Sequence, residues 1–417
     1  MSLAELLVVL ASEVKEEIKI LDCSFEVLII ESTSALNVEK LQAKLGGTIK
    51  ILKIIDLVKK REQDSVNFAL RHYFKPSKLK SVFLKNYKGK IQFGVSIYLL
   101  DPNVQAFGEP MRLGMFIKRA LQDAGSSIRL VLPEFNSLAL ASVVVTKNLL
   151  LSKGAEIGVL VGPNKVYVTK TLTVQDFEDY GRRDYQRPVR SELQGMIPPK
   201  VAQIMLNLAN VKTNSTILDP FCGLGTIPQE AILLGLRALG TDINPVAISG
   251  SEKNLEWFRN RYKVPPGKYH LDVSDARKVS SVVQNLAKLG GFKEIAGIVT
   301  EGYLGPLYSQ FPKLAEMEKN FKELTGLYEA AFAEFTKFLP KKARVVLCLP
   351  AYKKNQKDYE MFPTVDFITK LGYNLVDLIP EKVAKSFKFL KLTPRGTAIY
   401  DRKDQIVARE IIVFEKI

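Results

Sequence analysis

Downstream of residue 198, short apolar runs recur at 215–219, 237–242, 268–272, 295–300, 343–349 and 373–378, with helix-period segments between them. That alternation predicts a mostly parallel sheet covered by helices. Pro198-Pro199 opens a helix whose Val201, Ile204, Met205 and Leu208 share one face. The long helical stretch 311–339 carries Phe321, Leu324, Tyr328, Phe332 and Phe335 at helical spacing, a core stripe rather than a cofactor box. The end of the chain differs, because 397–400 and 410–415 read as an antiparallel hairpin.

The first part of the chain mixes short elements. Segment 5–11 is strand-like, 12–20 helical, 25–31 a strand, 38–45 a helix ended by Gly46-Gly47, and 48–55 a strand, together a small α+β layer. A second α+β unit follows. It has a strand at 90–100, a helix at 111–124 with Met111, Met115 and Phe116 inward, and a strand at 128–132. A helix at 138–151 comes next despite its β-prone valines, then a hairpin of 155–161 and 165–171 around Gly162-Pro163-Asn164. The expected division is 1–62, 63–184, a linker at 185–197, and 198–417. The whole is an α/β chain with its doubly wound sheet last.

Charge narrows the partner. The 417 residues hold 60 Lys and Arg against 44 Asp and Glu, a formal net charge of +16. Such an excess favours a polyanion, most simply nucleic acid; a charged surface suited to heat or salt is the plain alternative. The most basic window, 71–90, holds Arg71, Lys75, Lys78, Lys80, Lys85, Lys88 and Lys90 and no acid. Tyr73, Phe74, Phe83 and Tyr87 interleave with these cations, and cations beside rings suit RNA contact. Phe74 and Phe83 read more readily as core.

Other chemistry finds little material. Cys23, Cys222 and Cys348 are scattered and form no Cys-x-x-Cys pair, so neither a disulfide framework nor a zinc knuckle is expected. His72 and His270 are the only histidines, too few for a metal site or a Ser-His-Asp triad. The apolar run 6–11 is short, lacks a basic flank and is followed by Glu13, Glu16 and Glu17, unlike a signal peptide. No run reaches membrane-spanning length, so the expected location is the cytoplasm, with no membrane partner.

One stretch does carry chemistry. Ile217-Leu218-Asp219-Pro220-Phe221-Cys222-Gly223-Leu224-Gly225-Thr226 is a strand ending in an acid, a two-glycine turn and a helix start. This is the first unit of a doubly wound sheet, where ligands sit at the strand's carboxyl end. The next strand ends in Asp242, an acid placed to take a ribose diol. A P-loop lysine and a third dinucleotide-type glycine are both missing.

The Asp-Pro-Phe-Cys-Gly-x-Gly-Thr loop resembles the S-adenosylmethionine loop of amino-group methyltransferases acting on nucleic acid. That resemblance implies that Asp219, Pro220, Phe221, Cys222, Gly223, Gly225 and Thr226 face the methionine part. Asp242 would then take the ribose, Ile243 the adenine, and Asp275-Ala276 the adenine edge, with Asp272 an alternative to Asp275. At the end of the fourth strand such enzymes carry Asp/Asn-Pro-Pro-Tyr/Phe, and this chain has Glu301-Gly302-Tyr303. The resemblance implies that Glu301 accepts the N–H bonds of a poorly nucleophilic exocyclic amine and that Tyr303 stacks the extruded base.

The second α+β unit, with its closing segment 173–184, resembles a THUMP RNA-binding domain behind a ferredoxin-like N-terminal domain. Over nearly its whole length the chain resembles the THUMP-containing tRNA guanosine-N2 methyltransferases of the archaeal type acting on guanosine 10, relatives of the eukaryotic Trm-eleven subunit. Loop 219–226, Asp242, Arg187–Arg190 and Ala408-Arg409-Glu410-Ile411 carry that likeness. It implies a class I, Rossmann-like methyltransferase using S-adenosyl-L-methionine on tRNA, with a small activator subunit as a further partner. An amino-methyltransferase on DNA or rRNA, and a tRNA-binding protein with an inactive methyltransferase domain, stay open beside it.

Overall fold

In the computed structural model, the described residues are 1–14, 18–84, 89–106, 108–190, 196–286, 292, 294–355, 358–387, 389–402 and 405–417. Three sheets organise them. β1 (Lys19–Cys23) and β2 (Leu28–Glu31) form an antiparallel pair. β3 (Lys50–Lys59), β4 (Ile91–Leu99), β5 (Ile128–Val131), β6 (Gly154–Val161) and β7 (Lys165–Val174) form a five-stranded sheet in the order β3-β7-β6-β4-β5. β3, from the expected first domain, is thus an edge strand of the expected second domain's sheet, pairing antiparallel with β7.

The third sheet uses β8 (Thr216–Asp219), β9 (Arg237–Asp242), β10 (Tyr269–Val273), β11 (Ile295–Thr300), β12 (Arg344–Lys353), β14 (Tyr373–Leu375) and β16 (Val407–Lys416), in the order β10-β9-β8-β11-β12-β16-β14. β13 (Tyr359–Met361) pairs with β12, and β15 (Ala398–Tyr400) with β16, giving nine strands among the described residues. β8 to β12 run parallel, and β16 is antiparallel to β12. The apolar runs after residue 198 therefore appear where their spacing puts them. The chain leaves β8 toward β9 and β10, then returns to β11. The switch point thus lies between β8 and β11, the place in open α/β sheets where a crevice opens at the strands' carboxyl ends.

The core stripe of the long helix is present: in Leu314–Thr336, Phe321, Leu324, Tyr328, Phe332 and Phe335 are all buried beneath β11, β12 and β16. Four expectations change. Of the helix expected at 12–20, Ser12 and Glu13 end the helix Ser2–Glu13, whereas Lys19 and Ile20 begin β1. Segment 5–11 is not a strand but part of the helix Ser2–Glu13. A short apolar run cannot be assigned by periodicity; here it packs as a helix because Ala4 joins the core around Val201 and Met205 while Val9 and Leu10 meet Leu41 and Leu45. Helix Glu109–Asp123 buries Leu113, Gly114, Ile117 and Leu121, whereas Met111 and Phe116 are exposed. The expected helix at 138–151 shrinks to Ser142–Lys147. Phe74 and Phe83 are core residues.

The two halves are joined by buried polar contacts. The Glu5 carboxylate accepts the N–H of Gly46 and Gly47, each at 2.8 Å, and Asn207 Nδ2 at 2.7 Å. Burial raises the Glu5 pKa against those bonds. In the helix Phe177–Tyr185, Arg183 donates to Glu230 at 2.8 Å and to Asp179.

Candidate active site

A cavity of about 980 Å³ opens at the switch point. Its lining includes Asp219, Pro220, Phe221, Cys222, Gly223, Thr226, Asp242, Ile243, Asp275, Ala276, Glu301 and Tyr303, residues drawn from four strand ends. Of the glycine-loop residues singled out for this site, Gly225 alone is absent from that lining. Its role is conformational. It caps the helix Thr226–Leu233 at φ 84°, and a Cβ there would stand 2.4 Å from Ser251 Oγ. Only a residue without a side chain makes this turn at such close approach.

The β8–β9 wall is wired locally. Asp219 is 1% exposed, accepts the Phe221 N–H at 3.2 Å and is hydrogen-bonded by the Thr300 side chain. Burial, with Asp242 and Glu301 nearby, pushes its pKa up to about 8. The Asp242 carboxylate accepts the N–H of Gly223 and of Asn244, each at 2.9 Å, which fixes it at the rim beside exposed Ile243. Asp275 caps the short turn Ala276–Lys278 and is gripped by Arg277, which holds its pKa low. Asp272, the alternative, is absent from the cavity lining.

The β11 wall is wired from far away. Glu301 follows β11, and Arg409 on β16 donates to it at 2.5 Å. Arg409 also donates to Gln405 at 2.7 Å. Burial raises the Glu301 pKa, opposed by Arg409 and more weakly by Arg402. Gly302 has φ +71°, a conformation closed to proline, and a Cβ there would lie 2.4 Å from Tyr328 Oη. Tyr328 donates to the Tyr303 carbonyl at 2.7 Å, and Asn320 to the Leu304 carbonyl at 3.2 Å. Glu301-Gly302-Tyr303 is therefore a turn braced by the long helix, with Tyr303 about half exposed (49%) at the cavity. Arg409, Tyr328 and Thr300 had no role assigned from sequence. The only local signal was a charged pair, Arg409-Glu410, inside an apolar strand.

The donor set suits a nucleoside carrying an amino acid. Asp242 is held ready for a diol, the glycine turn brings backbone close, and the Thr226–Leu233 helix starts at the cavity. Among the described residues no group of His, Cys, Asp and Glu could hold a metal ion.

The basic window lies elsewhere in the fold. Arg71, Lys75 and Lys80 are exposed; Arg71 sits over the Phe68 ring, and Lys80 donates to the Ala124 carbonyl at 3.0 Å. Lys78 pairs with Asp56 at 2.9 Å above the Tyr73 ring. Lys85 and Lys88 fall outside the described residues. Among the described residues no helix is long and apolar enough to cross a membrane.

Residues 187–286 match the family of RMKL-like methyltransferase domains. A tRNA (guanine(10)-N2)-dimethyltransferase of Methanocaldococcus jannaschii is 30% identical over 192 residues, covering 41% of this chain and 52% of that protein. The enzyme of the same description from Methanothermobacter thermautotrophicus is 38% identical over 96 residues, covering 23% of this chain and 28% of its own. The matches thus span about half, or less, of these relatives' length. The crystal structure of TrmN from Thermus thermophilus superposes on 100% of this chain and 96% of its own with a TM-score of 0.53 at 14% identity. The second half of the chain therefore has the Rossmann-like fold of class I methyltransferases, and its 187–286 stretch is similar to RMKL-like methyltransferase domains.

Proposed function

We propose that this protein is an S-adenosylmethionine-dependent methyltransferase acting on the exocyclic N2 of a guanosine in tRNA. One observation carries the reading. The glycine loop 219–226 with Asp242, and the Glu301–Tyr303 turn, line a single cavity at the switch point. The curated relatives, described as tRNA (guanine(10)-N2)-dimethyltransferases, direct the choice of substrate.

The roles follow from the chemistry. Loop 219–226 holds the methionine part, Asp242 the ribose hydroxyls, Ile243 and Asp275-Ala276 the adenine. When bound, the cofactor supplies an electrophilic methyl on a sulfonium. Glu301 accepts N–H bonds from the guanine amine, drawing its lone pair out of the ring and toward the methyl carbon. Glu301 would take up the proton that the amine sheds on methylation. Arg409 aims that carboxylate and favours its ionised form against the burial that raises its pKa. Tyr303, with its ring half exposed, stacks the extruded base.

The N-terminal half, THUMP-like with a ferredoxin-like layer ahead of it, grips the tRNA, and Arg71, Lys75 and Lys80 supply phosphate contacts. Lys78, Lys85 and Lys88 belong to the same proposed face. This work belongs in the cytoplasm.

Incubation with labelled S-adenosylmethionine and bulk tRNA, followed by nucleoside analysis, tests the reading. N2-methylguanosine is the expected product. Tight tRNA binding without transfer would indicate an inactive domain, and transfer to DNA or rRNA alone would move the substrate.

A further inference from the structure

Arg187 is 3% exposed and lies behind the glycine loop, outside the cavity lining. Its Nη1 donates to Thr226 Oγ1 at 2.7 Å. Its Nη2 stands 3.6 Å from Asp184, and neither Nε nor Nη2 makes a hydrogen bond. The contrast is Arg183, also buried, whose guanidinium is hydrogen-bonded to both Glu230 and Asp179. A buried guanidinium with one good acceptor is costly unless its charge serves something. The segment around it is pinned to the same loop. The Val189 N–H donates to Asn254 Oδ1 at 2.8 Å, and Asn254 Nδ2 donates to the carbonyls of Val189 and Leu224, each at 3.0 Å.

Thr226 does line the cavity, at the first turn of its helix. Because its oxygen accepts from Arg187, its single O–H is left to donate, and among the described residues nothing takes it. The cavity is otherwise rich in acid: Asp219, Asp242, Asp275 and Glu301 line it. Among the described lining residues its cations are Arg277 and Arg409, each engaged by one of those acids. A ligand's amino group has partners in plenty, whereas a ligand's carboxylate has few.

Resting on the cofactor reading above, we propose that Thr226 seats the amino-acid carboxylate of the cofactor and that Arg187 is its positioning residue, polarising the Thr226 hydroxyl from behind. The cation, the hydroxyl and the helix start together supply positive potential to one end of an otherwise acidic cavity.

Two probes test this by calorimetry on the full chain: S-adenosylhomocysteine, and its decarboxylated analogue, which keeps the amine and the adenosine. The wild-type protein should prefer the carboxylate-bearing probe by about tenfold or more, the worth of a charge-assisted hydrogen bond. Arg187→Met should bring that ratio close to unity while leaving the affinity for the decarboxylated probe in place. Thr226→Val, nearly isosteric, should do the same and carries the test if Arg187→Met does not fold. Equal weakening of both probes, or an unchanged ratio, would overturn the inference and make Arg187 a scaffold residue. Failure of the folded wild-type protein to bind either probe would instead overturn the cofactor reading itself.

Discussion

On the β8–β9 side of the cavity, carboxylates are held mainly by neighbours in sequence: the Phe221 N–H on Asp219, the Asn244 N–H on Asp242, and Arg277 on Asp275. On the β11 side, Glu301 is held by Arg409 from the last strand, and the turn after it by Tyr328 and Asn320 from the long helix. The first wall is largely local, with two ties from farther off: Thr300 on β11 hydrogen-bonds Asp219, and Gly223 N–H donates to Asp242. The second exists only when the sheet has closed from β8 to β16. A wall held mainly by groups near it in sequence tolerates drift elsewhere in the chain, whereas a wall held by distant partners can be retuned through them.

The comparison can be pressed with substitutions, starting with the largest effect. Asp219 is an acid whose folded pKa, about 8, lies above its unfolded value of 3.8. The stability linked to its proton is present below about pH 4 and is lost as pH rises through about 8. Asp219→Asn removes that loss. Its unfolding free energy relative to wild type should therefore climb across that window by up to about 5 kcal/mol in denaturant titrations. A flat difference would mean the local wall does not hold Asp219 protonated.

On the other wall, Glu301→Gln should slow single-turnover methyl transfer by about a thousandfold while calorimetric cofactor binding stays within a few-fold. Loss of binding together with transfer would erase the division of labour between the walls. Arg409→Met leaves Glu301 without its main counter-charge, with only the weaker Arg402 remaining. In the proposed mechanism Glu301 acts ionised, so the acid limb of the rate profile should move to higher pH by about one to three units. An unmoved limb would show that Arg409 does not govern that carboxylate.

Gly302→Ala forces a side chain into φ +71° against Tyr328. About 1–2 kcal/mol of destabilisation is expected from the backbone alone, measured as a drop in unfolding midpoint, with Tyr328→Phe relieving part of the clash. The smallest effect concerns RNA. Replacing exposed Arg71, Lys75 and Lys80 should each reduce the salt slope of tRNA binding by about one, and Lys78, already paired with Asp56, by less. Equal slopes for all four would mean that the ion pair opens on binding.

The site was unevenly legible. Asp219, Gly223, Gly225 and Asp242 could be singled out because strand, turn and acid follow one another within a few residues, and backbone geometry enforces what they do. Glu301 and Tyr303 were legible only as positions after the fourth strand. The crowding at Gly302 was not, because it comes from the Tyr328 hydroxyl on a helix 26 residues away. Lys78 reads from sequence like its neighbours, yet it is spent on Asp56, 22 residues before it.

The sequence by itself determined the order of elements after residue 198, the class of sheet and the glycine loop. Each depends on periodicity or on hydrogen bonds made within a few residues. The tertiary structure decided that 2–13 is a helix, that β3 extends the sheet of the second unit, that Arg409 faces Glu301, and that Arg187 stands behind Thr226. These outcomes turn on which apolar faces meet and which charges lose their water together, and both are set by segments far apart in the chain.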